Sequence, residues 1–122
     1  MRALIVDDSR YIRQYMRQLL TAMGLGCDDA VDGNEALQML RGGLTFDFMM
    51  LDVNMPGMSG LQCLKSFREA GLQPAMKVMM VTTEADNSCI SEALNHGADE
   101  FLMKPFSPES LREKLVLIGL MA

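Results

Sequence analysis

Four apolar runs in this sequence each end at a side chain that could take part in chemistry. Three carboxylates, a hydroxyl and an ammonium stand at these ends: Asp7, Asp8, Asp52, Thr82 and Lys104. The runs that precede them cover residues 3–6, 49–51, 78–81 and 101–103. If the runs are parallel strands, their carboxyl ends share one edge of a sheet, where ligands bind in open α/β folds.

The three carboxylates suggest a cation site, because neighbouring acids repel one another and raise each other's pKa. A divalent cation removes this cost, and Mg²⁺ prefers one or two carboxylates while keeping several waters. We therefore expect Asp7, Asp8 and Asp52 to bind a divalent cation, with Mg²⁺ as the ion. The cation and the Lys104 ammonium would hold a dianionic group, and the Thr82 hydroxyl would donate to the same place. This set of groups suits phosphoryl transfer onto the Asp52 carboxylate.

The elements that must position these side chains follow from hydrophobic periodicity. Short apolar runs predict strands over residues 4–6, 27–31, 46–51, 76–81 and 99–103. Residues suited to capping predict helices that begin after Ser9, Asp32, Ser59, Asp86 or Asn87, and Ser107. In the fourth helix we expect Ile90, Ala93 and Leu94 to face inward. The alternation predicts a doubly wound α/β fold, a five-stranded parallel sheet with five helices on its two faces.

Composition limits the class of protein. The chain has 122 residues and is 49% hydrophobic, which predicts a single domain over residues 1–122. Its net charge of −5 argues against direct binding of nucleic acid, which needs a basic face. No apolar run approaches the roughly 20 residues of a membrane span, and no signal peptide is evident. We expect Cys27, Cys63 and Cys89 to be buried free thiols in a reducing cytoplasm.

Four stretches resemble the receiver domain of two-component response regulators, and the resemblance extends over the whole chain. They are residues 4–9, 51–60, 80–85 and 97–106. Among receivers, the sequence is most similar to single-domain chemotaxis regulators of the CheY type. The resemblance implies the strand order 2-1-3-4-5 and a cis peptide bond between Lys104 and Pro105.

The resemblance also implies site roles. Asp52 would accept a phosphoryl group from a phosphohistidine on a sensor histidine kinase. Asp7, Asp8, Asp52 and the backbone carbonyl of Asn54 would hold Mg²⁺. The protein would catalyse only its own phosphorylation and dephosphorylation, without an external substrate.

Activation would involve a switch. The resemblance implies that Lys104 is the cation of the site, that the Thr82 hydroxyl follows the phosphoryl group, and that Phe101 turns inward. The face formed by the fourth helix, fifth strand and fifth helix would then repack for a downstream protein partner.

Some positions bear on how this chain differs from its relatives. Phe101 stands where chemotaxis regulators usually have Tyr, which removes any hydrogen bond from that ring. Thr83 is larger than the usual residue and would narrow access to Asp52. Asn54 and Glu84 match the chemotaxis type, which implies a short-lived phosphoryl state.

Three other interpretations stay open. A Mg²⁺-dependent phosphatase resembling the haloacid dehalogenase family would need a second acid where Asn54 stands. A flavodoxin-like cofactor binder would need a phosphate-binding loop where Asp7 and Asp8 stand. The chain could also be the amino-terminal receiver of a longer regulator, although we expect a stand-alone protein.

Overall fold

The computed structural model describes residues 1–83 and 88–122, in which five strands alternate with five helices. The strands are β1 (Arg2–Val6), β2 (Gly26–Ala30), β3 (Phe48–Asp52), β4 (Lys77–Thr82) and β5 (Glu100–Met103). The helices are α1 (Arg10–Ala22), α2 (Gly33–Arg41), α3 (Gly60–Glu69), α4 (Ile90–Asn95) and α5 (Pro108–Leu117). The predicted helix start at Asp86 or Asn87 lies outside the described residues.

The strands form one parallel sheet in the order β2-β1-β3-β4-β5, as the resemblance implied. Val6 of β1 pairs with Leu51 of β3, so Asp7 and Asp52 follow at the same level. Thr82 of β4 pairs with Met103 of β5, so Lys104 comes one residue beyond. The register therefore gathers the four predicted strand ends at one edge of the sheet.

Alternate side chains of each strand enter two separate cores, because successive residues of a strand point to opposite faces. In β3, Met49 and Leu51 face the core covered by α2, α3 and α4. Phe48 and Met50 face the core covered by α1 and α5. Every residue of β3 is buried, which explains why the run before Asp52 reads as continuously apolar.

Side chains at the helix N-termini act as the predicted caps. Ser9 and Asp32 accept hydrogen bonds from the backbone N–H groups three residues later. Ser59 and Ser107 form reciprocal capping boxes. These caps satisfy N–H groups that a helix leaves without partners, and each of the four follows the carboxyl end of a strand, at the edge of the sheet that carries the acids.

Several predictions about individual residues need correction. Leu94 is 42% exposed, so it does not face inward, although Ala93 is fully buried. β3 begins at Phe48 rather than residue 46, although Phe46 is buried. The Phe46 N–H bonds the side chain of Gln73 instead of a neighbouring strand, so an apolar residue is buried here without belonging to the sheet.

Cys27 and Cys63 are free thiols, but only Cys63 is buried, while Cys27 and Cys89 are half-buried. The peptide bond between Lys104 and Pro105 is cis, as the resemblance implied. Within residues 1–83 and 88–122, no helix has the length and apolar character needed to cross a membrane.

Candidate functional site

The acids predicted to bind a cation lie together at the carboxyl edge of the sheet. Carboxylate oxygens of Asp7, Asp8 and Asp52 all lie within 4.8 Å of one another. Asp7 is 1% exposed and Asp52 is 5% exposed, whereas Asp8 is open to solvent. The cluster thus has a buried floor of two acids and an accessible side at Asp8.

Lys104 joins the two buried acids. Its Nζ donates to Asp7 Oδ2 at 3.0 Å and to Asp52 Oδ1 at 3.2 Å. The lysine side chain is 19% exposed, so these ion pairs are shielded from water. A lysine 52 residues from Asp52 in the sequence therefore lies at the acids, as the strand-end pattern predicted.

Burial and charge shift the pKa values of this group. Burial, together with the nearby charge of Asp7, raises the pKa of the Asp52 carboxyl from 3.8 to about 6, although Lys104 opposes the rise. For Lys104, burial alone would lower the pKa, but its bonds to Asp7 and Asp52 raise it overall. Lys104 therefore stays an ammonium and Asp52 is an unusually basic carboxylate, and shifted pKa values of this kind cluster at functional sites.

The loop after β3 keeps Asp52 at the rim. The Val53 N–H donates to the carbonyl of Val81, and the Gly60 N–H donates to the carbonyl of Val53, at 3.0 and 2.9 Å. The backbone N–H of Asn54 bonds the Asp52 carboxylate. Asn54 itself is exposed, so its main chain is beside the acids while its side chain meets solvent.

Thr82 ends β4 and is 1% exposed. Its hydroxyl donates to the carbonyl of Thr83 at 3.0 Å rather than to a carboxylate of the acid cluster. The backbone also ties this strand end to the lysine, because the Lys104 N–H donates to the Thr82 carbonyl at 2.6 Å. Thr82 thus lies at the predicted edge with its hydroxyl held by a local bond. Glu84, the other predicted flanking position, is outside the described residues.

Phe101 lies away from the acids, on β5, and is half-buried. The Nζ of Lys114 on α5 stands 4.9 Å from the ring centroid. The same Nζ lies 3.4 Å from Glu100 Oε1. The ring therefore packs partly against the core and contacts a cation on the neighbouring helix.

The donor set fits a hard divalent cation. Three carboxylates and the single Lys104 ammonium leave a net charge of −2 when all are ionised. Oxygen donors of this kind, one of them open to water, match the preference of Mg²⁺ for carboxylates with several retained waters. This acidic pocket could bind a metal ion.

Two contacts at the site were not predicted from the sequence. The Ser9 N–H donates to Asp7 Oδ1 at 2.8 Å, and Arg13 Nη1 donates to the Asp7 carbonyl at 2.7 Å. Ser9 was recognised only as a helix cap. Arg13 carried no signal, because its helix spacing reads as an ordinary polar position.

Comparison with known proteins agrees with this geometry. The chemotaxis protein CheY-3 of Vibrio cholerae is 40% identical over 116 residues, which are 94% of this chain and 88% of that protein. The chemotaxis protein CheY of Pseudomonas aeruginosa is also 40% identical over 116 residues, 94% of this chain and 93% of that one.

A solved structure and a family match point to the same kind of protein as these two relatives. The structure of Vibrio cholerae CheY4 matches with a TM-score of 0.87 at 36% identity, covering 96% of this chain and 97% of that one. Residues 3–116 match the response regulator receiver domain. With the parallel sheet, the acid cluster and Lys104 in the arrangement described above, the chain belongs to the CheY-like response regulators of the receiver domain family.

Proposed function

We propose that this protein is switched by phosphorylation of Asp52, which accepts a phosphoryl group from a phosphohistidine on a sensor histidine kinase. One observation carries the proposal: the Lys104 ammonium bonds both Asp7 and Asp52, and Asp8 shares a potential cation site with them. Receiver domains belong to signalling proteins, and the family match over residues 3–116 supports treating residues 1–122 as one such domain.

Asp7, Asp8 and Asp52, with the backbone carbonyl of Asn54, are the proposed Mg²⁺ ligands. The net negative charge of the acid cluster supports this assignment, because the buried acids have only Lys104 as a cationic partner among the described residues. When bound, Mg²⁺ supplies positive charge to the oxygens of a transferring phosphoryl group.

The chain's own residues perform the remaining work. An oxygen of the Asp52 carboxylate attacks phosphorus, the new O–P bond forms, and the P–N bond to the donor imidazole breaks. Lys104 neutralises charge on the phosphoryl oxygens, and the buried Asp52 needs little desolvation before it attacks. Such catalysis is mainly positioning and charge stabilisation, which a rigid strand end provides.

The switch begins with the dianionic phosphoryl group on Asp52. The phosphoryl group carries about −2 charge and three acceptor oxygens, in place of the single negative charge of the Asp52 carboxylate. The Thr82 hydroxyl exchanges its bond to the Thr83 carbonyl for one of these oxygens. Phe101 then moves from its half-buried position under Lys114 into the space that Thr82 leaves.

The output face is formed by α4, β5 and α5, and a downstream protein binds it. Three large apolar side chains on the two helices are already exposed: Leu94, Val116 and Leu117. Leu117 is 69% exposed, and apolar groups of this kind at a helix surface suit protein contacts. Repacking of Phe101 changes the shape of this face.

Treatment with acetyl phosphate and Mg²⁺ tests the acceptor. We expect a labile adduct of one phosphoryl group by intact mass in the wild type and none in Asp52→Ala. Asp47→Ala is the matched control, because Asp47 precedes the opposite end of β3 and bonds only the Arg2 N–H by its side chain among the described contacts. An equal adduct in Asp52→Ala would contradict the assignment.

Beryllofluoride tests the switch without turnover. In the wild type with Mg²⁺ we expect NMR shift changes centred on Thr82, Phe101 and Lys104, and these should be absent in Asp52→Ala. NMR shift changes confined to the acid cluster, with Phe101 unaffected, would contradict the proposed switch. They would not contradict Asp52 as the phosphoryl acceptor.

A further inference from the structure

Arg13 links the acid cluster to the edge strand of the sheet. From α1 its Nη1 donates to the Asp7 carbonyl at 2.7 Å, and its Nε donates to Asp29 Oδ2 on β2 at 3.1 Å. The arginine side chain is only 12% exposed. Hydrogen bonds from a charged donor are stronger than neutral ones, so this guanidinium holds the end of β1 firmly.

The bond to the Asp7 carbonyl acts on two acids at once. The carbonyl of Asp7 and the N–H of Asp8 belong to one planar peptide unit. Fixing the carbonyl oxygen therefore fixes the direction in which the chain runs from Asp7 to Asp8. The Asp7 N–H is separately bonded to the Ala30 carbonyl on β2 at 3.2 Å, so main-chain groups on both sides of Asp7 are anchored.

Asp8 depends on this anchoring more than Asp7 does. The Asp7 carboxylate accepts from the Ser9 N–H and from Lys104, at 2.8 and 3.0 Å. Across residues 1–83 and 88–122, the Asp8 carboxylate has no hydrogen bond or ion pair, yet it lies within 4.8 Å of the other two acids. Its position is therefore set by the backbone from which it projects.

The charge of Arg13 is offset in part by Asp29. A bare guanidinium beside the acids would weaken cation binding, and the ion pair with Asp29 reduces this effect, although the same carboxylate also accepts from Arg17 Nη2 at 3.0 Å. We infer that Arg13 is a positioning residue for the metal site, holding the peptide unit between Asp7 and Asp8 while its ion pair with Asp29 offsets part of its charge. This inference rests on the proposed function, since it assumes a cation at those acids.

Mg²⁺ titration of the full chain, followed by NMR shifts of the acid-cluster backbone, tests the role. Arg13→Ala should weaken Mg²⁺ binding by about tenfold, the lower end of the effects seen when groups behind metal ligands are removed. Arg13→Lys should lose less, because an ammonium can still bond the Asp7 carbonyl. Arg17→Ala is the matched control, since Arg17 bonds Asp29 and the Cys27 carbonyl but not Asp7.

Urea unfolding without Mg²⁺ separates positioning from stability. Arg13→Ala and Arg17→Ala should both lower the free energy of unfolding, while only the first weakens Mg²⁺ binding. Equal Mg²⁺ affinity in Arg13→Ala and wild type, or equal losses in both variants, would overturn the inference. If Arg13→Ala does not fold, the Mg²⁺ affinity of Arg13→Lys is compared with those of wild type and Arg17→Ala, and the same outcomes apply. If the wild type itself binds no Mg²⁺, the proposed metal site fails instead.

Discussion

Gly60 packs directly against the main chain of Asp52. A Cβ at position 60 would overlap the Asp52 carbonyl oxygen and come within 3.0 Å of Val53 Cα. Gly60 is the first residue of α3, and its N–H bonds the Val53 carbonyl. The missing side chain lets this helix end rest on the strand end that carries the proposed phosphoacceptor.

Gly60→Ala should therefore destabilise the protein and disturb the site. The obstructing atoms are backbone and cannot rotate away, and overpacking of this kind costs about 1–3 kcal/mol. We expect a drop of that size in the free energy of unfolding from urea titrations. Backbone NMR shifts should change at Asp52 and Val53, because α3 must move away from them.

Gly42→Ala is the matched control for that change. Gly42 has a φ of −84°, and the nearest atoms to a Cβ there are 3.4 Å away. Alanine should be accepted at this helix end with little loss of stability. Equal destabilisation by the two substitutions would mean that close packing on Asp52 is not what position 60 requires.

The stability of the protein without Mg²⁺ should depend on the ionisation of Asp52. Burial and the charge of Asp7 raise the pKa of its carboxyl from 3.8 to about 6 in the folded state. The folded state thus holds this proton more tightly than the unfolded chain does. The resulting stabilisation is complete below about pH 4 and is lost as the pH rises through about 6.

Asp52→Asn isolates this effect, because it keeps the shape of the side chain and cannot ionise. The stability of the variant relative to wild type should rise between about pH 4 and pH 7 by up to about 3 kcal/mol, the equivalent of two pKa units. Urea unfolding across that range in Mg²⁺-free buffer measures it. A stability difference that does not vary with pH would show that the raised pKa has no energetic consequence.

Much of the fold was predictable because it depends on local patterns. The buried run ending at Asp52 and the cap at Ser59 are each visible within a few residues, and the structure has both. The convergence of Asp7, Asp52 and Lys104 followed from the rule that parallel strands end at one edge. The resemblance added the strand order and the cis peptide bond.

What could not be predicted depends on contacts between distant residues. Asp28 and Asp29 interrupt the apolar pattern of β2, and both carboxylates are paired with arginines from β1 and α1. Leu94 matched the helix period, but α4 is short and turns this residue to solvent. The role of Arg13 needs the tertiary structure, since its carboxylate partner is 16 residues away.

Cys63 should resist alkylation in the folded protein. Burial, with a smaller contribution from the charge of Asp32, raises the pKa of its thiol to about 12. The thiolate is the reactive form, and the side chain is 0% exposed. Native iodoacetamide labelling followed by peptide mass spectrometry should modify the half-buried Cys27 and Cys89 well before Cys63.

Urea supplies the control for this labelling, since all three cysteines should react at similar rates once the chain is unfolded. Native modification of Cys63 as fast as Cys89 would mean that the core around α3 opens readily.

The contact between Lys114 and Phe101 should restrain the proposed switch. Lys114→Met keeps most of the side-chain length and removes the cation that lies 4.9 Å from the ring centroid. At partly exposed sites a cation–π contact contributes about 0.5–1 kcal/mol, and we expect Lys114→Met to lower the free energy of unfolding by that amount. Released from the cation, the Phe101 ring should shift toward its beryllofluoride-bound NMR position even before treatment.

Lys77→Met is the control, because Lys77 pairs only loosely with Asp99 at 3.9 Å and contacts no aromatic ring within the described residues. A Phe101 ring that responds equally to both substitutions, or to neither, would show that Lys114 does not hold it outward.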